Sequence, residues 1–83
     1  MNQSRREGQS PKEAALHCRL RQSQHAKKRQ LQRGVTREEI REVIFRGRLR
    51  NRRGSWEAEN RFLFVVFRLR PCNIFLITVH YKG

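Results

Sequence analysis

Apolar residues recur at helical spacing between residues 23 and 47 and predict two short helices joined by a tight turn. The hydroxyl of Ser23 can cap the first helix by accepting a hydrogen bond from an early backbone N–H. Gly34 follows the last helical position, and glycine readily adopts the left-handed conformation that often ends a helix. This first helix is only weakly amphipathic, with Ala26 and Leu31 as its apolar positions.

The second helix has the clearest signals in the chain. Thr36 and Glu39 have the spacing of a capping box, in which each side chain accepts a hydrogen bond from the other residue's backbone N–H. The apolar positions that follow lie on one helical face, and Gly47 can end the last turn. These positions are Ile40, Val43 and Ile44. The sequence therefore predicts a helix with one buried face.

Two segments rich in Phe, Val and Ile predict antiparallel strands over residues 61–70 and 74–81. Residues 71–73, Pro-Cys-Asn, suit a three-residue hairpin loop. That loop gives the pairs Arg70–Ile74, Arg68–Leu76, Val66–Thr78 and Phe64–His80. One face is then almost wholly apolar, with Leu63, Val65, Phe67, Leu69, Phe75, Ile77, Val79 and Tyr81. A slip of one residue would mix the two faces, so we predict that Arg68, Arg70, Thr78 and His80 share the other face.

The segment 46–53, RGRLRNRR, has almost no apolar content and ends in the turn signal Gly54-Ser55. An extended backbone would put Arg48, Arg50 and Arg52 on one face. One interpretation is an edge strand that its charges protect against aggregation. Another is a stripe of arginines that neutralises successive phosphates. The two interpretations are compatible.

The N-terminal part of the chain gives mixed signals. Residues 1–9 are polar and without periodicity, which predicts a basic tail ahead of a single α+β domain over residues 10–83. Ser10 and Glu13 form a second capping box, with proline at the first helical position. Beyond it, alternating apolar residues favour a strand, but a helix continuing through residue 20 fits almost as well. The structure of residues 14–22 stays open at this stage.

Charge narrows the class of partner. The 83 residues include 20 Lys and Arg, 16 of them Arg, against seven Asp and Glu, for a net charge of +13. Such a field predicts a polyanionic partner, with nucleic acid first and an acidic protein second. We expect no membrane association, because the apolar runs are too short to span a bilayer and no helix joins a basic face to a broad apolar one.

Composition also bears on compartment and cofactors. Residues 1–12 include Arg5 and Arg6 but no apolar run behind them, which is not the pattern of a secretory signal. We therefore expect a cytoplasmic protein in which Cys18 and Cys72 are reduced thiols. No recognised ligand spacing joins the cysteines and histidines, and we expect neither a metal nor a cofactor.

Polar residues of the first helix recur at i, i+3, i+4, i+7 and i+8, and so fall on one face. They are His25, Lys28, Arg29, Gln32 and Arg33. A solvated basic face explains most such patterns. Here like charges at i, i+4 spacing are unfavourable, and a bound anion would relieve that repulsion. Both interpretations stay open.

The chain carries the motif Ser23-x-His25-Ala26-x-x-Arg29-x-x-x-Arg33-Gly34-Val35-Thr36, followed by Val43-Ile44-x-x-Gly47. This motif resembles the opening of a small uncharacterised bacterial domain family that is grouped with RelE-like and BrnT-like toxin ribonucleases. The strands of that family typically end in Ile-Thr-Val-Tyr. Ile77-Thr78-Val79 corresponds, but His80 stands where the tyrosine is expected. The resemblance covers roughly residues 23–81 and bears on fold more than on function.

The resemblance implies an α+β, RelE-like fold, with two N-terminal helices packed on an antiparallel sheet of three or four strands. It also implies RNA cleavage without metal, by basic and hydrogen-bonding side chains. Residue by residue, the motif carries over to His25, Arg29 and Arg33 on the helix and to Thr78 on the strand. Neither His80 nor Tyr81 is carried over, because His80 stands at the position of the family's tyrosine and Tyr81 follows it.

Metal-free RNA cleavage needs a base, an acid and cations around the phosphorane, and histidine is suited to proton transfer near neutral pH. The candidate catalytic residues are therefore His25, His80 and Arg29. The candidate nucleic-acid ligands are Lys28, Arg33, Arg48, Arg50, Arg52, Arg68 and Arg70. Either histidine can instead be structural; His25, for example, can hold the first helix to the sheet.

Three functions remain. The first is a toxin-like, metal-independent endoribonuclease directed at RNA. The second is a nucleic-acid-binding module or regulator without catalysis, which needs the arginines but no histidine pair. The third is a basic subunit that an acidic, antitoxin-like protein neutralises.

Overall fold

The computed structural model describes residues 10–82, which form three helices and five strands. In chain order these are α1 (Pro11–His17), β1 (Arg19–Gln22), α2 (Gln24–Arg33), α3 (Arg37–Arg46), β2 (Arg48–Arg52), β3 (Ser55–Glu59), β4 (Leu63–Arg70) and β5 (Asn73–Tyr81). The predicted basic tail over residues 1–9 lies outside the described residues.

All five strands join one sheet, in the order β1-β5-β4-β3-β2. The four strands from β2 to β5 form an antiparallel meander, whereas β1 pairs with β5 in parallel. The α+β class is confirmed. The expected antiparallel sheet of three or four strands is wrong, because β1 adds a fifth, parallel strand and α1 precedes the two expected helices.

The caps of α2 and α3 agree with the sequence. Ser23 accepts a hydrogen bond from the backbone N–H of Ala26 at 3.1 Å, and Gly34 ends α2 in the left-handed region with φ 71°. Thr36 and Glu39 make both hydrogen bonds of the capping box at the start of α3. These short-range signals set the helix ends because they satisfy backbone groups that the helix itself leaves unpaired.

Both alternatives for residues 14–22 are correct over part of the segment. Ser10 caps α1, which continues to His17, and the chain then turns into the short strand β1. Leu20 is buried on β1, while Arg19 and Arg21 on either side of it are exposed. The predicted strand alternation therefore holds from residue 19 onward.

The predicted register of the β4–β5 hairpin is correct at the end away from the turn and wrong near the turn. The predicted pairs Val66–Thr78 and Phe64–His80 form. Near the turn, Arg70 pairs with Asn73 and Arg68 with Phe75, across a loop of two residues rather than three. Ile77 is the extra residue of a β-bulge, so Ile74 and Leu76 are buried together with Val79. Phe75, predicted to be buried, is therefore exposed on the opposite face.

The core lies between the helices and one face of the sheet, which we call the inner face. Helix α3 packs across β2, β3 and β4, α1 packs against α3, and α2 packs along β5. The largest fully buried side chains are Phe67, Ile40, Ile44, Ile74 and Leu76. The opposite side of the sheet, the outer face, is not covered by a helix of the described chain. Among residues 10–82, no helix is long and apolar enough to cross a membrane.

Candidate nucleic-acid interface

The outer face carries the arginines of three strands, β1, β2 and β4. Because side chains alternate along a strand, each arginine beside a buried position points to the side opposite the core. Among residues 10–82, seven arginines lie on this face: Arg19, Arg21, Arg48, Arg50, Arg52, Arg68 and Arg70. All seven are exposed. The predicted alternation of Arg48, Arg50 and Arg52 on an edge strand is confirmed, since β2 is the last strand of the sheet.

His80 also lies on the outer face, exposed and directly opposite Phe64 on β4. Thr78 pairs with Val66 one step further along. The predicted sharing of this face by His80 and Arg68 is therefore present. The two residues lie in different rows, because Arg68 is four residues beyond Phe64, or about 13 Å along the strand.

Helix α2 lies beside the part of β5 that continues past the end of β1. The backbone N–H of Ser23 donates to the Leu76 carbonyl at 3.3 Å, and the Ser23 hydroxyl donates to the Ile77 carbonyl at 3.5 Å. Ala26, fully buried, is the contact point of the helix. Its small side chain allows the close approach that these two hydrogen bonds require.

The polar residues of α2 do not form one face toward the sheet. Arg29 is half-buried, one helical turn beyond Ala26, whereas His25 and Lys28 line a shallow depression with Leu31 on the solvent side. Arg33 is exposed in the last turn. Within residues 10–82, no hydrogen bond or ion pair joins His25 or Arg29 to His80. Within these residues, the structure therefore shows no direct polar contact from His25 or Arg29 to His80.

Other arginines hold the fold together. Arg37 donates to the Leu20 carbonyl at 2.6 Å, which connects α3 to β1. Arg41 donates to the Ala15 carbonyl at 2.8 Å, which connects α3 to α1. Both use a guanidinium to satisfy a backbone acceptor, so the basic composition has a structural part as well as a surface part.

Two acidic residues on β3 offset the charge of β2. Glu57 faces Arg50 and lies 3.8 Å from the Arg52 guanidinium, while Glu59 faces Arg48. Lys82 holds Glu59 through a 2.7 Å ion pair. That hydrogen bond and the charge of Lys82, together with the charges of the nearby arginines, lower the pKa of the Glu59 carboxyl. We call Arg48, Arg50, Arg52, Glu57 and Glu59 the β2–β3 ladder.

The other half of the outer face has no such compensation. Arg21 and Arg68 flank Phe75 in one row across β1, β5 and β4, and Arg19 and Arg70 flank Asn73 in the next. We call Phe75 with these four arginines the Phe75 cluster. Sequence reasoning missed Arg19, Arg21 and Phe75. The alternation around Leu20 signals the two arginines once β1 is accepted as a strand.

The family comparison covers most of this structure. Residues 22–81 match the model of a family described as a domain of unknown function, DUF4258. The chain belongs to the DUF4258 family. The match begins at the end of β1 and includes α2, α3 and the whole meander, in agreement with the extent of the motif in the sequence. No curated protein and no solved structure matches the DUF4258 chain. The family description states no activity.

Proposed function

We propose that this DUF4258 protein binds RNA through the outer face of its sheet and cleaves it without a metal ion, as a toxin-like endoribonuclease. The main support is the open outer face, where seven arginines meet only two carboxylates. The guanidinium group suits phosphate because its planar fork can donate two parallel hydrogen bonds. A cytoplasmic location, where RNA is accessible, belongs to the same proposal.

The relation to RelE-like and BrnT-like toxins is part of this proposal. It is supported by the motif in α2 and by the order of two successive helices followed by an antiparallel meander. The chain departs from the fold that the resemblance implies by having α1 and the parallel strand β1. It departs from the motif by having His80 in place of the expected tyrosine.

The cleavage step needs a 2′-hydroxyl to attack the adjacent phosphorus while the 5′-oxygen leaves. One group takes the 2′ proton, another returns a proton to the 5′-oxygen, and cations stabilise the phosphorane. We assign proton transfer to His80, which is exposed on the outer face, and to His25 at the start of α2. We assign to Arg29 the stabilisation of the negative charge on the phosphorane. RNA must then bridge the helix and the sheet, since within residues 10–82 no hydrogen bond or ion pair joins His25 or Arg29 to His80.

The decisive experiment is incubation of the purified chain with RNA in EDTA. Products with 2′,3′-cyclic phosphate ends are expected, and His80→Ala should abolish them. Arg29→Ala should abolish cleavage while leaving much of the RNA binding, because that charge would act mainly in the transition state. Intact RNA at high protein concentration would rule out the catalytic proposal.

A non-catalytic nucleic-acid-binding module is the second candidate. It is supported by the absence, within residues 10–82, of a hydrogen bond between His25 and His80. Tight RNA binding that weakens steeply with salt, without cleavage, would select this function. An acidic antitoxin-like partner is a third possibility that the same uncompensated charge supports. Growth arrest on expression of the wild type but not of His80→Ala would favour the toxin-like enzyme over the other two.

A further inference from the structure

Phe75 is the centre of an unusual surface on the outer face. Its side chain is 37 % exposed, although phenylalanine is usually buried. Arg21 pairs beside it on β1 and Arg68 beside it on β4. Neighbouring strands lie about 4.8 Å apart, so the two arginine backbones flank the ring at that distance on either side.

The positive charges of the four arginines in the Phe75 cluster are not offset by acidic side chains of the described chain. Within residues 10–82, none of them forms an ion pair or donates a side-chain hydrogen bond. Within residues 10–82, arginine guanidinium groups lie over the rings of Phe45 and Phe62, and none lies over the Phe75 ring. The ring is therefore available to a ligand.

Two unfavourable features coincide at this cluster. Arg19 and Arg21 on β1 and Arg68 and Arg70 on β4 carry like charges that repel one another on either side of β5. In addition, an exposed aromatic ring keeps apolar surface in water. A ligand that carries both anionic groups and flat aromatic faces would relieve both at once. Single-stranded nucleic acid has this combination, whereas a duplex offers its phosphates but hides the faces of its bases.

We propose that the Phe75 cluster is a base-stacking subsite for single-stranded RNA. One base stacks on Phe75, and Arg21 and Arg68 bind the phosphates on either side of it. This inference rests on the proposed RNA binding and specifies its substrate as single-stranded. The subsite lies about 13 Å along β4 from the row of His80, so one strand several nucleotides long can occupy both places.

The test compares Phe75→Leu with Phe62→Leu in the full chain. Phe62 is a matched control because it is also an exposed phenylalanine, but it precedes β4 at the opposite end of the hairpin. Binding is measured by fluorescence anisotropy with a short single-stranded RNA, the same sequence as a duplex, single-stranded DNA, and polyglutamate.

Phe75→Leu should weaken binding to single-stranded RNA by roughly fivefold to a hundredfold, the range that loss of one stacked base produces. Binding to the duplex and to polyglutamate should be unchanged, and Phe62→Leu should match the wild type on all probes. Phe75→Trp should retain or strengthen binding, because the larger ring also stacks.

The outcomes separate this inference from the proposed function. If the wild type fails to bind RNA, both are wrong. If it binds RNA and Phe75→Leu does too, with unchanged affinity, only the stacking subsite is wrong. Equal losses with polyglutamate would assign the cluster to an acidic protein instead. Tighter binding of the duplex or of DNA would overturn the assignment to single-stranded RNA.

A separate observation concerns the two cysteines. The sulfur atoms of Cys18 and Cys72 lie 3.4 Å apart, with Cys18 buried and Cys72 exposed. They precede the paired residues Arg19 and Asn73, and the Arg19 N–H donates to the Cys72 carbonyl at 3.3 Å. Positions so placed on adjacent strands have the backbone separation that a disulfide requires.

We also infer that Cys18 and Cys72 form a reversible disulfide with a small-molecule disulfide such as oxidised glutathione. The Cys72 thiolate attacks the oxidant and releases one glutathione thiol. The Cys18 thiolate then attacks the mixed disulfide at Cys72 and releases the second. Two protein thiols are oxidised, and one glutathione disulfide is reduced to two thiols. The bond would fasten β1 to the β4–β5 turn, beside the Phe75 cluster.

Incubation with oxidised glutathione should give a monomer that has lost two hydrogen atoms by mass. Because the crosslink restricts the unfolded chain, its melting temperature should rise by about 5 °C or more and return with dithiothreitol. Cys18→Ser should instead keep glutathione on Cys72 and show no such rise. A stable mixed disulfide or a disulfide-linked dimer in the wild type would overturn the inference.

Discussion

The two halves of the outer face carry similar numbers of arginines but balance them differently. In the β2–β3 ladder, three arginines face two glutamates, and Lys82 holds one of those glutamates in place. In the Phe75 cluster, two arginines flank Phe75 and two more flank Asn73 in the next row, with no carboxylate among them. Arginine number alone therefore says little about where a polyanion binds.

The difference follows from what each half does for the fold. The ladder contains the edge strand β2, where cross-strand ion pairs stabilise pairing and charge discourages association with other edges. The cluster spans the parallel pair β1–β5, whose stability comes from Leu20 and Ile74 on the inner face. Its exposed arginines lie on the opposite face of the sheet from these buried residues, and we propose that a ligand offsets their charge.

The largest expected effect comes from removing charge from each half in turn. Arg21→Ala combined with Arg68→Ala should weaken RNA binding by about 3 kcal/mol, because two charged phosphate contacts are lost. Arg48→Ala combined with Arg50→Ala should cost about 1 kcal/mol, since Glu57 and Glu59 already offset those charges. The salt dependence of the affinity should fall by more than one unit for the first pair. Equal losses from both pairs would contradict the comparison.

Gly47 lies between the end of α3 and the β2–β3 ladder. A Cβ at this position would lie 2.6 Å from the Glu59 carbonyl and would also meet the Val43 carbonyl, so backbone must shift. Gly47→Ala should lower the free energy of unfolding by about 2 kcal/mol, as overpacking does. In Gly34→Ala nothing obstructs the Cβ, and the positive φ alone should cost about 1 kcal/mol. Urea unfolding measures both, and a larger loss at Gly34 would contradict this order.

The sequence predicts those parts of the structure that depend on interactions between residues close together in the chain. The caps at Ser23 and Thr36 involve residues three positions apart, and so they can be identified without knowing the fold. The alternation of β2 follows from a period of two. The pairing of His80 with Phe64 was predicted from a three-residue loop, and it is correct because the extra residue of the bulge makes up for the shorter loop. These features placed the ladder arginines, Arg68 and His80 on the correct face.

The Phe75 cluster was missed for reasons that are not local. The bulge at Ile77 shifts the register by one residue and so exposes Phe75. Neither apolar pattern nor turn composition distinguishes that bulge from a longer loop. The parallel pairing of β1 joins residues more than fifty positions apart, and only the sheet brings Arg21 next to Phe75. No sequence pattern encodes that contact.

A smaller effect should follow from making the ladder resemble the cluster. Glu57→Gln removes the carboxylate that lies beside Arg50 and Arg52, which frees their charge for phosphate. RNA affinity should rise by roughly threefold, the worth of an exposed ion pair. Glu42→Gln is the control, because it removes the same charge from an ion pair with Arg46 on α3. If the two variants bind alike, net charge rather than placement explains the change.

The smallest expected effect is the pH dependence of the stability that the Glu59–Lys82 ion pair provides. Lys82 lowers the pKa of Glu59 below its usual 4.5, so the folded protein holds this carboxyl ionised more strongly than the unfolded chain does. Its stabilisation is complete above about pH 4.5 and is lost as the pH falls through the lowered folded pKa. Glu59→Gln should therefore be less stable than the wild type at neutral pH and equally stable in acid. Urea unfolding of both proteins across this range measures the difference, and a gap that stays constant with pH would contradict a role for the ionised carboxylate of Glu59.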